Sequence, residues 1–175
     1  SGATGNNSIA IGSSASSTAE GALAIGHNAR ALASGAIAIG AGAQALASDS
    51  VVIGRNAGAA NSNTRNNFIG DGAGGRLESS VALGWRAGEN ASGDRNTLVG
   101  PTSVGSVLDG DLNVGIGQAA LLRTKGDENI GLGIQALRDT KGNENLALGS
   151  IAGAYTNGSH NISLGTGAGS GRPLS

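Results

Sequence analysis

Ile9-Ala10-Ile11-Gly12 returns as Leu23-Ala24-Ile25-Gly26, Ile37-Ala38-Ile39-Gly40 and Val51-Val52-Ile53-Gly54. The same apolar, small, apolar, Gly unit continues at Val81-Ala82-Leu83-Gly84, Val114-Gly115-Ile116-Gly117 and Ile130-Gly131-Leu132-Gly133, then at Leu146-Ala147-Leu148-Gly149 and Ile162-Ser163-Leu164-Gly165. Asn67-Phe68-Ile69-Gly70 and Thr97-Leu98-Val99-Gly100 are weaker copies with a polar first residue. The eleven marker glycines are spaced 14, 14, 14, 16, 14, 16, 17, 16, 16 and 16 residues apart. So short a period over the whole length is a solenoid signature. Ala stands three residues after the marker in ten of the eleven repeats, with Ser103 the exception. Small residues then alternate, as in Ala29/Ala31/Ala33 and Ala43/Ala45/Ala47, which marks a strand with one closely packed face. Each repeat reads as strand, Gly turn, strand, longer turn.

The two repeat lengths follow a rule. Intervals of 16 or 17 end in a repeat with Asn four residues before its marker: Asn66, Asn96, Asn113, Asn129, Asn145 and Asn161. Intervals of 14 end with Ala22, Ala36, Ser50 or Ser80 there. The extra residues are expected to form a turn with positive φ at Gly, closed by Asn bonding to backbone. Stacked in register, these Asn side chains are expected to form a hydrogen-bonded ladder. The length pattern divides the chain into residues 1–70, mostly of 14-residue period, an irregular stretch over 71–112, and 16-residue repeats with a tail over 113–175.

Composition narrows the function. Of 175 residues 33 are Gly, with three aromatics (Phe68, Trp85, Tyr155) and no Cys or Met. The apolar content is mainly Ala with Ile, Leu and Val, so the interior is thin. A large enzyme-like core and a membrane span are both excluded, since no run approaches 18 apolar residues. Net charge is −1, against binding of nucleic acid by counterion release. Without Cys there are no disulfides, zinc-thiolate sites or thiol catalysis. No secretory leader is legible, so the chain is expected to be a mature product or an excised piece.

In the first strand of each repeat the middle residue points opposite to its two large neighbours. The middle set is Ala10, Ala24, Ala38, Val52, Phe68, Ala82, Leu98, Gly115, Gly131 and Ala147, followed by Ser163. None is charged, whereas a solvent-facing strand shows polar residues. This strand is therefore expected to be dry on both faces, with the first ten of these residues at an interface between chains. The second strand carries Arg30, Leu32, Gln44, Leu46, Arg123 and Arg138 between its small residues and its outer face reads as wet. A thin coil with one dry outer face predicts self-association.

Asn7-Ser8-Ile9-Ala10-Ile11-Gly12, with Ala-x-Ala-x-Ala after Gly26 and Gly40, resembles the head repeats of YadA-like trimeric autotransporter adhesins. The 16-residue unit, such as Asn129-Ile130-Gly131-Leu132-Gly133-Ile134-Gln135-Ala136-Leu137, is similar to repeats of bacteriophage tail fibres, and a mosaic adhesive fibre combines the two. The resemblance covers residues 7 to 169. It implies an all-β, left-handed parallel β-roll with one coil per repeat, assembled as a homotrimer. It also implies a non-enzymatic role in attachment to a cell-surface receptor, matrix protein or glycan, at the surface of a Gram-negative bacterium. The alternative it leaves open is the structural shaft of a phage tail fibre on a virion, with the receptor site elsewhere. No helical neck, heptad stalk, membrane anchor or non-repetitive tip is legible, so a head or shaft segment is expected.

No catalytic, cofactor or metal site is expected. His27 and His160 lie far apart along the repeat and assemble no metal cluster. Gly70-Asp71-Gly72-Ala73-Gly74-Gly75 matches G-x-G-x-x-G, but no βαβ unit surrounds it. Ligand contacts are sought where the pattern breaks. Trp85-Arg86 follows a marker glycine at a corner, where an indole stacks on a sugar, anchors a partner, or packs over a coil edge. The longest interval places Val107, Leu108 and Asp109 in a loop that is either a contact or a junction between the two repeat lengths. Tyr155 lies in a turn with the same choice. Lys125 over Lys141 and Glu128 over Glu144 read as a solvated face that blunts aggregation.

Overall fold

The computed structural model describes residues 2–59, 63–102 and 108–171. The unit quoted above forms eleven three-residue strands. The first five are Ile9–Ile11, Leu23–Ile25, Ile37–Ile39, Val51–Ile53 and Asn67–Ile69. Val81–Leu83, Thr97–Val99, Val114–Ile116, Ile130–Leu132, Leu146–Leu148 and Ile162–Leu164 complete the set. They stack in sequence order as one parallel sheet, each strand one coil beyond the last. Register never slips: Ala10 pairs with Ala24, Ala24 with Ala38, and Ala147 with Ser163. The sheet passes every change of repeat length without a break, as in the pairing of Asn67–Ile69 with Val81–Leu83 and of Thr97–Val99 with Val114–Ile116. Among the described residues there is no helix.

The marker glycines form a column that turns the chain out of each strand. Gly26 has φ 132°, and a Cβ there would lie 2.6 Å from the carbonyl oxygen of Gly40 in the next coil. Both the torsion and the close approach require Gly.

A second strand follows the turn in the 14-residue coils: Ser16–Ser17, Arg30–Ala31 and Gln44–Ala45 stack on Gly2–Ala3. Further along, Arg76–Glu78 pairs with Ser92–Asp94. In the 16-residue coils it shrinks to single bridges at Asp109, Lys125, Lys141 and Asn157. The cause is local. Ala119, Leu121 and Arg123 all hold φ near 57° (56°, 57° and 59°), and alternate left-handed residues cannot form a pleated strand.

The inward side chains correct one expectation. Ala24, Ala38, Val52, Phe68, Ala82, Leu98, Gly115, Gly131 and Ala147 are buried within their own chain, and Ala10 packs against the same core. They line the inside of the coil and do not form an outer interface. The first two 14-residue coils are filled on the inside by Ala, at Ala15, Ala24, Ala29 and Ala38, and the branched residues on either side take the outer face. The 16-residue coils are wider and are filled by Leu108, Leu121 and Leu137. Their size is matched by small partners: a Cβ on Gly115 would lie 3.0 Å from Leu121 Cδ1.

The Asn ladder forms as the sequence predicts. Asn129 N–H and Asn129 Nδ2 both donate to Asn113 Oδ1, at 2.9 and 3.1 Å. Asn129 Oδ1 in turn accepts from Asn145 N and Nδ2, at 3.1 and 3.0 Å. Asn129 Nδ2 also donates to the Gly142 carbonyl at 2.9 Å. Where Ser replaces Asn the column continues, with Asn96 N–H donating to Ser80 Oγ at 2.9 Å and Ser80 N–H to Asn66 Oδ1 at 3.0 Å.

Asn129 is fully buried, so truncation strands several polar groups away from water. Asn129→Ala is expected to lower stability by about 2–4 kcal/mol, measured by chemical denaturation. Asn161→Ala, on an exposed residue, is expected to lose under about 1 kcal/mol.

Candidate functional site

Two surfaces stand out. The first is the outer face of the long sheet. Each strand presents its first and third residues outward, giving two columns: one runs Ile9, Leu23, Ile37 and Val51, the other Ile11, Ile25, Ile39 and Ile53. Both continue through Val81 and Leu83 to Ile162 and Leu164, interrupted by polar residues only at Asn67 and Thr97. Ile9, Ile11, Leu148 and Leu164 are half or more exposed. A continuous apolar stripe along the whole solenoid exceeds what a monomer normally leaves in water.

The second surface is a groove at the corner that follows this sheet. Its floor is the arc after Gly70, a 14-residue coil between two of 16. The flanking arcs bulge as turns at Arg55–Ala59 and Trp85–Asn90, while the middle one runs Asp71-Gly72-Ala73-Gly74-Gly75 with few side chains. The result is a cleft of about 530 Å³. Gly75 cannot carry a side chain, because a Cβ there would run into the carbonyl oxygens of Gly88 and Ala91.

The groove's polar groups are held in pairs. Arg55 donates Nη2 and Nε to Asp71 Oδ2 at 2.5 and 3.2 Å across the two coils. Arg86 Nη2 donates to Glu89 Oε1 at 2.8 Å, with Nε 2.7 Å from Oε2. Arg86 Cζ also lies 5.4 Å from the centroid of the Trp85 ring, a cation–π distance. Trp85 keeps 52% of its surface exposed. Asn56 and Asn90 complete the walls.

Other acids serve the backbone. Asp111 Oδ1 accepts Asp94 N–H at 2.8 Å, Asp127 Oδ1 accepts Asp111 N–H at 2.9 Å, and Asn143 Oδ1 accepts Asp127 N–H at 3.0 Å. This is a second ladder, on the solvent side. Glu144 pairs with His160 at 3.2 Å, both exposed. Among the described residues no three His, Asp or Glu side chains gather to hold a metal ion.

Of the residues singled out in the sequence, Trp85 and Arg86 meet in the groove. Tyr155 is elsewhere, with Arg138 Cζ 5.8 Å from its ring centroid. Arg138 Nε in turn donates to Asp139 at 3.2 Å, and Asp139 receives Arg123 Nε and Nη2 at 2.5 and 2.6 Å. Leu108 is fully buried, which corrects its reading as a loop contact: the wide coils need a large apolar filler there. Asp109 is exposed, bridging Ser92 and Lys125; Val107 lies outside the described residues. Arg55, Asn56, Asp71, Glu89 and Asn90 escape a reading of the sequence along the chain. Their signal is the short coil between two long ones, combined with Arg55, Asp71 and Trp85 each directly following a marker glycine.

Residues 3–29 and 31–57 match the YadA head domain repeat in two copies. Each copy spans about two of the 14-residue coils, so the match covers the first four coils. No curated protein matches the chain.

Hydrogen bonds from Arg123 hold the Asp139 carboxyl below the usual carboxylate range, and the charge on Arg138 adds to this. A carboxyl with a depressed folded pKa favours the fold above its unfolded pKa of about 3.9 and loses that contribution as pH falls through the folded value. Thermal stability is therefore expected to drop below about pH 4. Asp139→Asn is expected to be less stable at pH 7 and to show a shallower acid limb, measured by melting over pH 2–7.

Proposed function

We propose that this chain is a non-enzymatic segment of a trimeric fibre adhesin that attaches to a cell surface. The observation that carries the proposal is the outward stripe of Ile, Leu and Val along the sheet, which none of the described residues covers. Burying it against identical stripes removes this apolar surface from water, at about 25 cal/mol per Å². The YadA head repeats favour three copies around an axis, since such heads normally form trimers. They also favour an extracellular, cell-surface location. No helix of the described residues is long and apolar enough to cross a membrane.

The arrangement suits adhesion mechanically. Eleven coils at about 4.8 Å make a rod on the order of 50 Å long. Three parallel chains present each side-chain column three times, so weak contacts sum through avidity.

Light scattering on a sizing column is expected to give three times the 16.8 kDa chain, about 50 kDa; a monomer overturns the proposal. Ile39 and Leu83 point outward, so Ile39→Asp with Leu83→Asp is expected to yield a monomer whose circular dichroism remains β-rich. Flow cytometry with labelled protein is expected to show the monomer binding cells at least about tenfold more weakly than the trimer. Absence of cell binding by the trimer argues against the adhesive part.

A further inference from the structure

We propose that the groove spanned by Arg55, Asp71 and Trp85 is a saccharide-binding subsite, taking a neutral pyranose with its apolar face against the indole. The proposal rests on the adhesive reading above and names the ligand and the place.

A sugar ring has a face of C–H groups and a rim of hydroxyls, so it needs an apolar plate beside planar polar groups that donate and accept. The groove provides both. Trp85, the sole Trp of the chain, has half its surface in water at the cleft, and Arg86 against the ring fixes its orientation. A large aromatic left half-exposed on a thin Ala-rich coil adds nothing to the core, whereas an indole with one apolar and one polar end is well suited to a wet contact.

The rim groups are already ordered. Arg55 and Arg86 each spend part of their five donors on Asp71 and Glu89, which leaves further N–H groups and carboxylate lone pairs for hydroxyls. Side chains locked before binding lose less entropy on binding. Two cations and two anions, all paired, also set the selectivity. No unpaired cation remains among these residues to favour a phosphate or an acidic sugar, and no unpaired carboxylate to favour an amine. A neutral, hydroxyl-rich ligand fits that balance. The volume of about 530 Å³ falls within the range of about 300–1,000 Å³ for small-ligand clefts. Three coils span roughly 10 Å, room for one or two rings.

The site occurs once. The positions equivalent to Trp85 are Ser13, His27 and Ala41 toward one end and Pro101, Gln118 and Ile134 toward the other. Only the arc after Gly70 combines a short perimeter with Gly72, Gly74 and Gly75 between two longer arcs.

Gly72 provides a test that leaves the indole untouched. A Cβ there would meet only Arg86 Cγ, at 3.4 Å, and its φ of 66° is close to the 57° of Gln135 in the equivalent position. Gly72→Gln is thus expected to fold and to fill the groove. Trp85 emission is read while the assembled protein is titrated with mannobiose, cellobiose, chitobiose and lactose, and with sialyllactose as the acidic control. At least one neutral disaccharide is expected to shift the emission saturably, and Gly72→Gln to weaken that binding at least tenfold. Trp85→Ala, followed by calorimetry, is expected to lose it, while Tyr155→Phe retains it. No saturable shift with any neutral sugar, a stronger response to the acidic sugar, or binding that survives Gly72→Gln overturns the proposal. So does an indole that iodide fails to quench, since the ring would then be covered by another chain. Cell binding separates the two readings. If Trp85→Ala trimers bind cells as well as the wild type, the subsite is wrong and the adhesive role stands. If wild-type trimers bind sugar but no cells, the subsite stands and the adhesive role fails.

Discussion

From Ser50 to Asn161 the coils are held at the same height as their neighbours by a column of side chains that bond from coil to coil. Asn113, Asn129 and Asn145 each accept at Oδ1 from the coil that follows and donate their backbone N–H to the ladder residue of the coil before, in positions sealed from water. An amide is suited to this because it is acceptor and double donor at once. With such thin layers, a slip of one residue would place Ile inside and Ala outside. The ladder makes that slip expensive, since each misplaced amide would be buried without partners. Apolar burial supplies the drive to coil, and the amides define which residue lies over which.

Much of this is legible in the sequence because a repeat reports its own register. The marker glycines, the Ala three residues later, and the exchange of Asn for Ser or Ala with coil length all survive in the structure. What the alternation Ile-Ala-Ile does not reveal is which face is inside. Periodicity of two separates the faces without orienting them, so the small residues read as the outer face that the large ones occupy. Volume decides it. The early coils are already filled by Ala15, Ala29, Ala31 and Ala43, which leaves no room for Ile25 and Ile39, so Ala24 and Ala38 turn inward. The large inward residues support the same rule through their partners. A Cβ on Gly74 would collide with the Phe68 ring, and one on Gly88 would crowd Leu98. Glycine opposite a large middle residue is the sequence signal for an inward orientation.

The groove is less legible for a related reason. Its contributors are 14 to 16 residues apart and carry no motif; they become neighbours only because the coil is one strand thick. Reading down a column, instead of along the chain, places Arg55, Asp71 and Trp85 together. The G-x-G-x-x-G match at Gly70 to Gly75 has nothing to do with a dinucleotide. Its glycines strip one arc of side chains, so that the arcs on either side become walls. Leu108 misleads in the opposite direction. An apolar residue beside an irregular stretch resembles an exposed loop contact, but a wider coil needs filling.

A solenoid of constant perimeter has a flat flank, and a flat flank holds a small molecule poorly because few of its atoms are enclosed. Concavity requires one layer to be shorter than both neighbours, and backbone stacking permits this only if the sheet beneath is undisturbed. Here the strand Asn67–Ile69 keeps full pairing on both sides while the arc after it loses two residues. Shape change is thus confined to the corner, where the chain is already free of the ladder. The apolar stripe lies on the adjoining face and is unaffected by it. The proposed assembly face and the proposed subsite draw on different columns of the same coil, so the side chains at the corner are free to vary without altering how the rod is built.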